Sequence, residues 1–131
     1  MEKPQPLGHI SPFFIVADLA RAVRFYEEQL GFELRFSSPT ESPFFAIVGR
    51  DSVQVFLKVV SDTVHALPNH ERHELALWDA FVFVGDPDAL YAEFQSRGVA
   101  FHESLTDRED GVRGFAVADS DGYVLFFGRP S

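Results

Sequence analysis

The 131-residue sequence contains no cysteine, so it can form no disulfide, thiol nucleophile or cysteine-bound zinc site. Basic residues are few: 11 Lys and Arg against 20 Asp and Glu give a net charge of −9, which argues against nucleic acid and anionic membranes as partners. No apolar run is long enough to span a membrane, and the opening MEKPQPLGH lacks the apolar core of a signal peptide. A Gly-rich phosphate loop is also missing. We therefore expect a soluble, cytoplasmic protein.

What the chain does contain is a repeat rich in aromatic residues. Apolar residues make up 46% of the sequence, with 15 Phe, which is enough to fill one compact core. The segment 11–32, SPFFIVADLARAVRFYEEQLGF, is similar to the segment 79–99, DAFVFVGDPDALYAEFQSRGV. FAIVGRDSVQVFL (45–57) aligns with FAVADSDGYVLFF (115–127) without a gap. A repeat of this length predicts a duplicated supersecondary unit.

Each copy predicts the order β-α-β-β-β. We expect one domain over residues 1–131, made of a first module (9–60), a linker (61–77) and a second module (78–129). Asp18 and Asp86 are good N-caps for helices at about 18–30 and 86–97. Gly31 and Gly98 supply the left-handed residue that ends each helix. The first strand is predicted over 9–16, and 103–111 is predicted to be a charged loop at the rim.

Strand alternation selects the candidate ligand-facing residues. The helices must cover one face of each sheet, and the other faces would then line a shared concavity. Polar interruptions at Ser11, Gln54, Lys58 and Asp79 favour one parity as the cavity side. The candidate ligand-binding residues on that parity are Ser11, Phe13, Phe56, Asp79, Phe81 and Phe126.

The unit FIVADLARAVRFYEEQLGFEL, the RGV stop and GVRGFAVADSDGYVLFFG resemble the vicinal oxygen chelate superfamily. That group includes glyoxalase I, extradiol dioxygenases and bleomycin-resistance proteins, and the last branch is the most similar. The resemblance implies an α+β fold of two tandem β-α-β-β-β modules that form an open, barrel-like cavity, usually in a homodimer.

The resemblance also implies where a metal would be bound in the family's enzymes. The matching positions are Ser11, Phe56, Asp79 and Phe126, of which only Asp79 is a good ligand. We therefore expect no metal, no cofactor and no catalytic residue. The leading hypothesis is a metal-independent protein of bleomycin-resistance type that sequesters or carries a small aromatic or cationic molecule, with Asp79 as the charge in the pocket.

Two alternatives remain open at this point. The first is a lyase, isomerase or dioxygenase-like enzyme whose metal site is rebuilt from Asp79 with His9, Gln54 or His102. The second is a binding subunit whose acidic surface meets a protein partner. HERHE (70–74) lacks the spacing of a zinc helix, and DSDG (119–122) fits a hairpin turn better than a calcium loop.

Overall fold

The computed structural model describes residues 3–131 and contains two four-stranded sheets, each covered on one face by a helix. In chain order the elements are β1 (Phe13–Ile15), α1 (Leu19–Leu30), β2 (Glu33–Ser38), β3 (Phe45–Arg50), β4 (Val53–Lys58), α2 (Asn69–Arg72), β5 (Ala80–Phe83), α3 (Pro87–Ser96), β6 (Phe101–Asp107), β7 (Val112–Ala118) and β8 (Val124–Pro130).

Strand order shows that the two modules share one topology. Sheet 1 has the order β1-β4-β3-β2 and sheet 2 the order β5-β8-β7-β6. In each, the first strand of the module runs parallel to the last, and the remaining pairs are antiparallel. Both sheets are open, which confirms the expected α+β fold of two tandem modules.

The predicted caps define the two long helices. The carboxylate of Asp18 accepts a hydrogen bond from the amide of Arg21, and that of Asp86 accepts one from the amide of Ala89. Gly31 ends α1 with a φ of +71°, a conformation that costs glycine no steric strain. The helices therefore start and stop within one residue of the sequence prediction.

Three segments differ from the sequence prediction. The first strand is shorter than expected because Pro12 has no amide hydrogen to donate, and pairing with β4 begins at Phe13. The predicted loop 103–111 is mostly strand, since β6 continues to Asp107 beside β7. It is an edge strand with two irregularities in register, so its exposed polar residues resemble a loop in sequence. The linker contains the single helical turn α2.

The two modules share one hydrophobic core. Phe14 and Leu57 of sheet 1 belong to the same buried cluster as Phe115 and Phe127 of sheet 2. The ring of Phe14 stacks on that of Tyr123, with centroids 4.1 Å apart and planes 3° from parallel. Burial of this continuous cluster supplies the main force that joins the modules.

Polar contacts at the module junction come from the last hairpin of each module. The hydroxyl of Tyr26 on α1 donates to buried Asp119 at 2.7 Å. Burial raises the pKa of Asp119 to about 6, opposed by hydrogen bonds from Tyr26 and two backbone amides. From the hairpin of the first module, Arg50 donates two hydrogen bonds of 2.8 Å to Glu93 on α3 of the second module. Each hairpin therefore binds the helix of the other module.

Candidate ligand-binding site

The face of sheet 1 that points away from α1 is aromatic and exposed. Phe13 and Phe56 are register partners on β1 and β4, with ring centroids 6.1 Å apart. Phe45 contacts both rings, and Phe36 extends the cluster onto β2. Phe13 is 57% exposed, so its ring offers a flat apolar surface to solvent. We call these four residues, Phe13, Phe36, Phe45 and Phe56, the sheet 1 aromatic face.

Sheet 2 has a corresponding cluster on the matching side. Phe81 and Phe126 are register partners on β5 and β8, with centroids 5.4 Å apart and planes at 28°. The ring of Trp78 lies 4.2 Å from that of Phe126. Phe81 is 44% exposed, whereas Phe126 is fully buried and a ligand could reach it only if its neighbours moved. Trp78, Phe81 and Phe126 form the sheet 2 aromatic face.

Arg108 covers this second cluster. Its guanidinium carbon lies 4.9 Å from the ring centre of Trp78 and 5.7 Å from that of Phe126, a cation–π arrangement. Salt bridges to Glu103 at 2.6 Å and Asp110 at 3.1 Å hold the guanidinium in place. The Trp78 indole N–H also donates to Glu103. A planar cation already occupies the ring surface on which a planar ligand would stack.

Asp79 is bound to the backbone on both of its oxygens. One carboxylate oxygen accepts from the amide of Asn69 at 2.9 Å, and the other from the amide of Val124 at 2.8 Å. The carboxylate therefore ties α2 to the start of β8. Asp79 is the charge that the sequence predicts for the ligand, and its carboxylate is engaged with the backbone. Of the cations near aromatic rings, Arg108 lies on the sheet 2 aromatic face and Lys58 lies over the ring of Phe44.

The remaining candidates lie in the segment before β1 or at the module junction. Ser11 is half-buried in the segment before β1. His9 and Gln54 line an open cavity of about 240 Å³ at the module junction, which Phe81 also lines. The structure thus groups Phe13 with Phe56 and Phe81 with Phe126, in two clusters on two different sheets.

Sequence reasoning did not identify Trp78 or Arg108. Trp78 opens the second module, and a strand that began there would direct its side chain away from Phe81, but β5 begins only at Ala80. Arg108 was assigned to a solvated rim, although it is held against the rings by Glu103. The one available signal was that Trp78 is the only tryptophan of the chain and precedes a strand lined with Phe.

Residues 7–127 match the family described as the Glyoxalase/Bleomycin resistance protein/Dioxygenase superfamily. The chain belongs to this superfamily. A search of the curated proteins found none that matches this member of the glyoxalase superfamily.

Solved structures of similar proteins cover almost the whole chain. TnmS3, an antibiotic-binding protein from Streptomyces sp. CB03234, is 25% identical with a TM-score of 0.70 and covers 98% of this chain and 100% of its own. The bleomycin-binding protein from Streptomyces verticillus, complexed with copper(II)-bleomycin, is 25% identical with a TM-score of 0.69 and the same coverage. A glyoxalase-related enzyme from Clostridium phytofermentans, 15% identical, has a TM-score of 0.74, covers 99% of this chain and 100% of its own, and shows the fold alone.

The residues at the superfamily's metal positions do not fit a metal. Phe56 and Phe126 have no donor atom, and both oxygens of Asp79 hold backbone amides. Within residues 3–131, no three side chains of His, Asp or Glu come close enough together to hold an ion. His9 and Gln54 lie at the junction cavity, whereas His102 lies beside His70, so the rebuilt site of the enzyme hypothesis is not assembled.

Proposed function

We propose that this member of the glyoxalase superfamily binds a planar aromatic small molecule and sequesters or carries it without transforming it. The observation that carries the proposal is the pair of aromatic faces, one on each sheet, with exposed rings at Phe13 and Phe81. Similar proteins at 25% identity are described as binding antibiotics and bleomycin, which supports a binding role. Binding by aromatic stacking needs no metal, so the proposed activity is metal-independent.

The aromatic part of the expected ligand has more support than the cationic part. Rings on both sheets favour stacking against a flat ligand, and such contacts are worth about 0.5–1.5 kcal/mol each. A cationic ligand would meet Arg108 on the sheet 2 aromatic face and Lys58 beside the sheet 1 aromatic face, and both oxygens of Asp79 already accept from backbone amides. We therefore expect a neutral planar aromatic compound to bind better than a cationic one of the same shape.

The proposed binding unit is a two-fold homodimer with the pocket near the interface. Each open sheet leaves large apolar side chains exposed, including Phe36 at 52% and Phe83 at 70%. Contiguous apolar surface of this kind marks an interface in most proteins, and pairing of two copies would cover it.

The test is a panel of neutral, cationic and anionic planar aromatics, measured by calorimetry and by the fluorescence of the single Trp78. We expect Phe13→Ala and Phe81→Ala each to weaken the best binder about tenfold, as expected for loss of one ring contact. Leu34→Ala is the matched control: Leu34 is as exposed as Phe81 but lies on the helix side of sheet 1.

Two results would overturn the proposal. One is that Leu34→Ala weakens binding as much as the two phenylalanine variants. The other is that a chelator abolishes binding, or that the best ligand is converted to product, which would favour the enzyme hypothesis. We expect a chelator to leave both the ligand affinity and the melting temperature unchanged.

A further inference from the structure

Two histidines that are distant in sequence meet at the edge of sheet 2. His70 is on α2, in the linker, and His102 is on β6, in the second module. Their ring centroids are 5.3 Å apart and their planes are inclined by 55°. His102 is exposed and His70 is half-buried, so the pair is accessible from solvent.

The hydrogen bond of His70 shows which of its two ring nitrogens carries the proton in the neutral imidazole. Its Nε2 lies 3.0 Å from the backbone oxygen of Gly122. A carbonyl oxygen can only accept, so Nε2 carries the proton and donates. In the neutral ring Nδ1 is then unprotonated and has a free lone pair. Histidines that bind metals show this arrangement, with the second ring nitrogen donating to a carbonyl that fixes the tautomer.

The linker turn that carries His70 is fixed by several contacts. Asp79 accepts from the amide of Asn69, and the side chain of Asn69 donates to the carbonyl of Trp78. Pro68 is buried against Gly122, where an added Cβ would meet the proline ring at 3.3 Å. The two residues before His70 are therefore fixed to the second module, which gives the imidazole a rigid support of the kind that a metal ligand needs.

The spacing of the two rings fits a shared metal ion. With metal–nitrogen distances of about 2.0–2.1 Å and tetrahedral angles, the centroids of two ligating imidazoles stand about 5 Å apart. The observed separation is 5.3 Å. We propose that His70 and His102 form a binding site for one divalent transition-metal ion of the imidazole-preferring class, copper(II) before zinc(II).

This site differs from the four strand positions used by the superfamily and does not depend on the aromatic pocket. With two protein ligands, the remaining coordination positions are open to water or a small chelating molecule. Two ligands give weak retention, so the ion is expected to be lost on purification and regained on addition. Ligand binding to the aromatic faces should proceed with or without it.

The test is titration of the full chain with zinc(II) by calorimetry and with copper(II) by electron paramagnetic resonance. We expect one ion per chain and nitrogen couplings from two imidazoles. Loss of a partner that merely orients a ligand already costs about 10–100-fold in affinity. His70→Ala and His102→Ala should each cost at least as much. Copper(II) should also quench Trp78, whose carbonyl and indole contact the residues adjacent to both histidines.

His73→Ala is the matched control, because His73 lies three residues from His70 and its Nδ1 accepts from the amide of Leu75. It should leave metal affinity within twofold of the wild type. His102 is exposed, so its substitution does not disturb folding, and it keeps the test valid if His70→Ala is unstable. Absence of binding to the wild type, unchanged affinity in His102→Ala, or an equal loss in His73→Ala would each overturn the proposal.

Discussion

At the scale of single residues, two carboxylates organise the second module: Asp119, which is buried, and Asp79, which is half-buried. Asp79 accepts from two amides that would otherwise lack partners, one in α2 and one at the start of β8. Asp119 accepts from Tyr26 and from the amides of Asp121 and Tyr123. Both side chains therefore hold backbone segments in place.

Replacing Asp79 tests whether its role is structural. Asp79→Ala leaves the amides of Asn69 and Val124 without acceptors, which should lower the free energy of unfolding by about 2 kcal/mol. Asp79→Asn keeps one carbonyl oxygen and should lie between Asp79→Ala and the wild type. The measurement is urea unfolding followed by Trp78 fluorescence. A fully stable Asp79→Ala variant that no longer binds aromatic ligands would instead restore Asp79 to the ligand site.

The raised pKa of Asp119 predicts a pH dependence of stability. The ordinary value is 3.8 and the folded value is about 6, so the folded chain keeps a proton that the unfolded chain has lost between those pH values. The stabilisation that the Asp119 carboxyl contributes is thus complete below pH 3.8 and is lost as pH rises through 6. The difference between the two pKa values corresponds to about 3 kcal/mol in the free energy of unfolding.

Asp119→Asn isolates that contribution, because the amide retains the acceptor and does not ionise. We expect the unfolding free energy of the wild type, relative to that of Asp119→Asn, to fall by about 2 kcal/mol from pH 4 to pH 6.5. A constant difference across this range would show that the three hydrogen bonds keep the carboxylate ionised in spite of burial.

At the scale of elements, most of the fold could be predicted from the sequence. Asp18 and Gly31 fix α1 through local chemistry, and the repeat predicted the same for α3. Within β6, residues 103–107 were predicted as loop, because their pairing with β7 depends on tertiary context. In the candidate site, strand parity gave the pairs Phe13–Phe56 and Phe81–Phe126, whereas Arg108 and Trp78 are positioned by side-chain contacts that no periodicity encodes.

The contact between β3 and α3 gives a prediction at this scale. Glu93 accepts from Arg50 across the module junction and from Arg97 on its own helix, and its side chain is 34% exposed. Partial exposure limits such a pair, so Glu93→Gln should cost about 1 kcal/mol in the free energy of unfolding. The exposed Glu27 on α1 is the control, and Glu27→Gln should change it by less than about 0.5 kcal/mol. Equal losses of unfolding free energy in the two variants would contradict a stabilising role for the contact between Arg50 and Glu93.

At the scale of the whole molecule, each sheet has one open face, and the proposed homodimer would form through these faces. The helices and the shared core cover one side of each sheet, and the opposite sides keep Phe13, Phe36 and Phe83 more than half exposed. Because these faces are apolar and exposed, we expect a protein partner to cover them, and a second copy of the chain is the one proposed. Within residues 3–131 no helix is long and apolar enough to cross a membrane.

Light scattering across micromolar concentrations tests the assembly. We expect the mass of a dimer, twice 14.7 kDa, and a shift toward monomer in Phe36→Ser, which removes an exposed ring from the sheet 1 aromatic face. Leu75→Ser, in the linker and 79% exposed, should leave the dimer intact. A monomeric wild type would remove the homodimer from the proposed function.

Each hairpin makes hydrogen bonds with the helix of the other module, and these bonds limit how the modules can be rearranged. Tyr26 on α1 and Glu93 on α3 are the helix side chains that the two hairpins bind, and Tyr26 is buried whereas the side chain of Glu93 is 34% exposed. Tyr26 donates to the carboxylate of Asp119, and Glu93 accepts from the guanidinium of Arg50. A tandem duplicate of the second module contains neither Tyr26 nor Arg50, so it loses both contacts across the junction and should be less stable than the native pair of modules. A circular permutant with the module order reversed keeps both contacts and should fold. The two copies of the repeat have thus become complementary, because each module carries a side chain whose partner only the other module supplies.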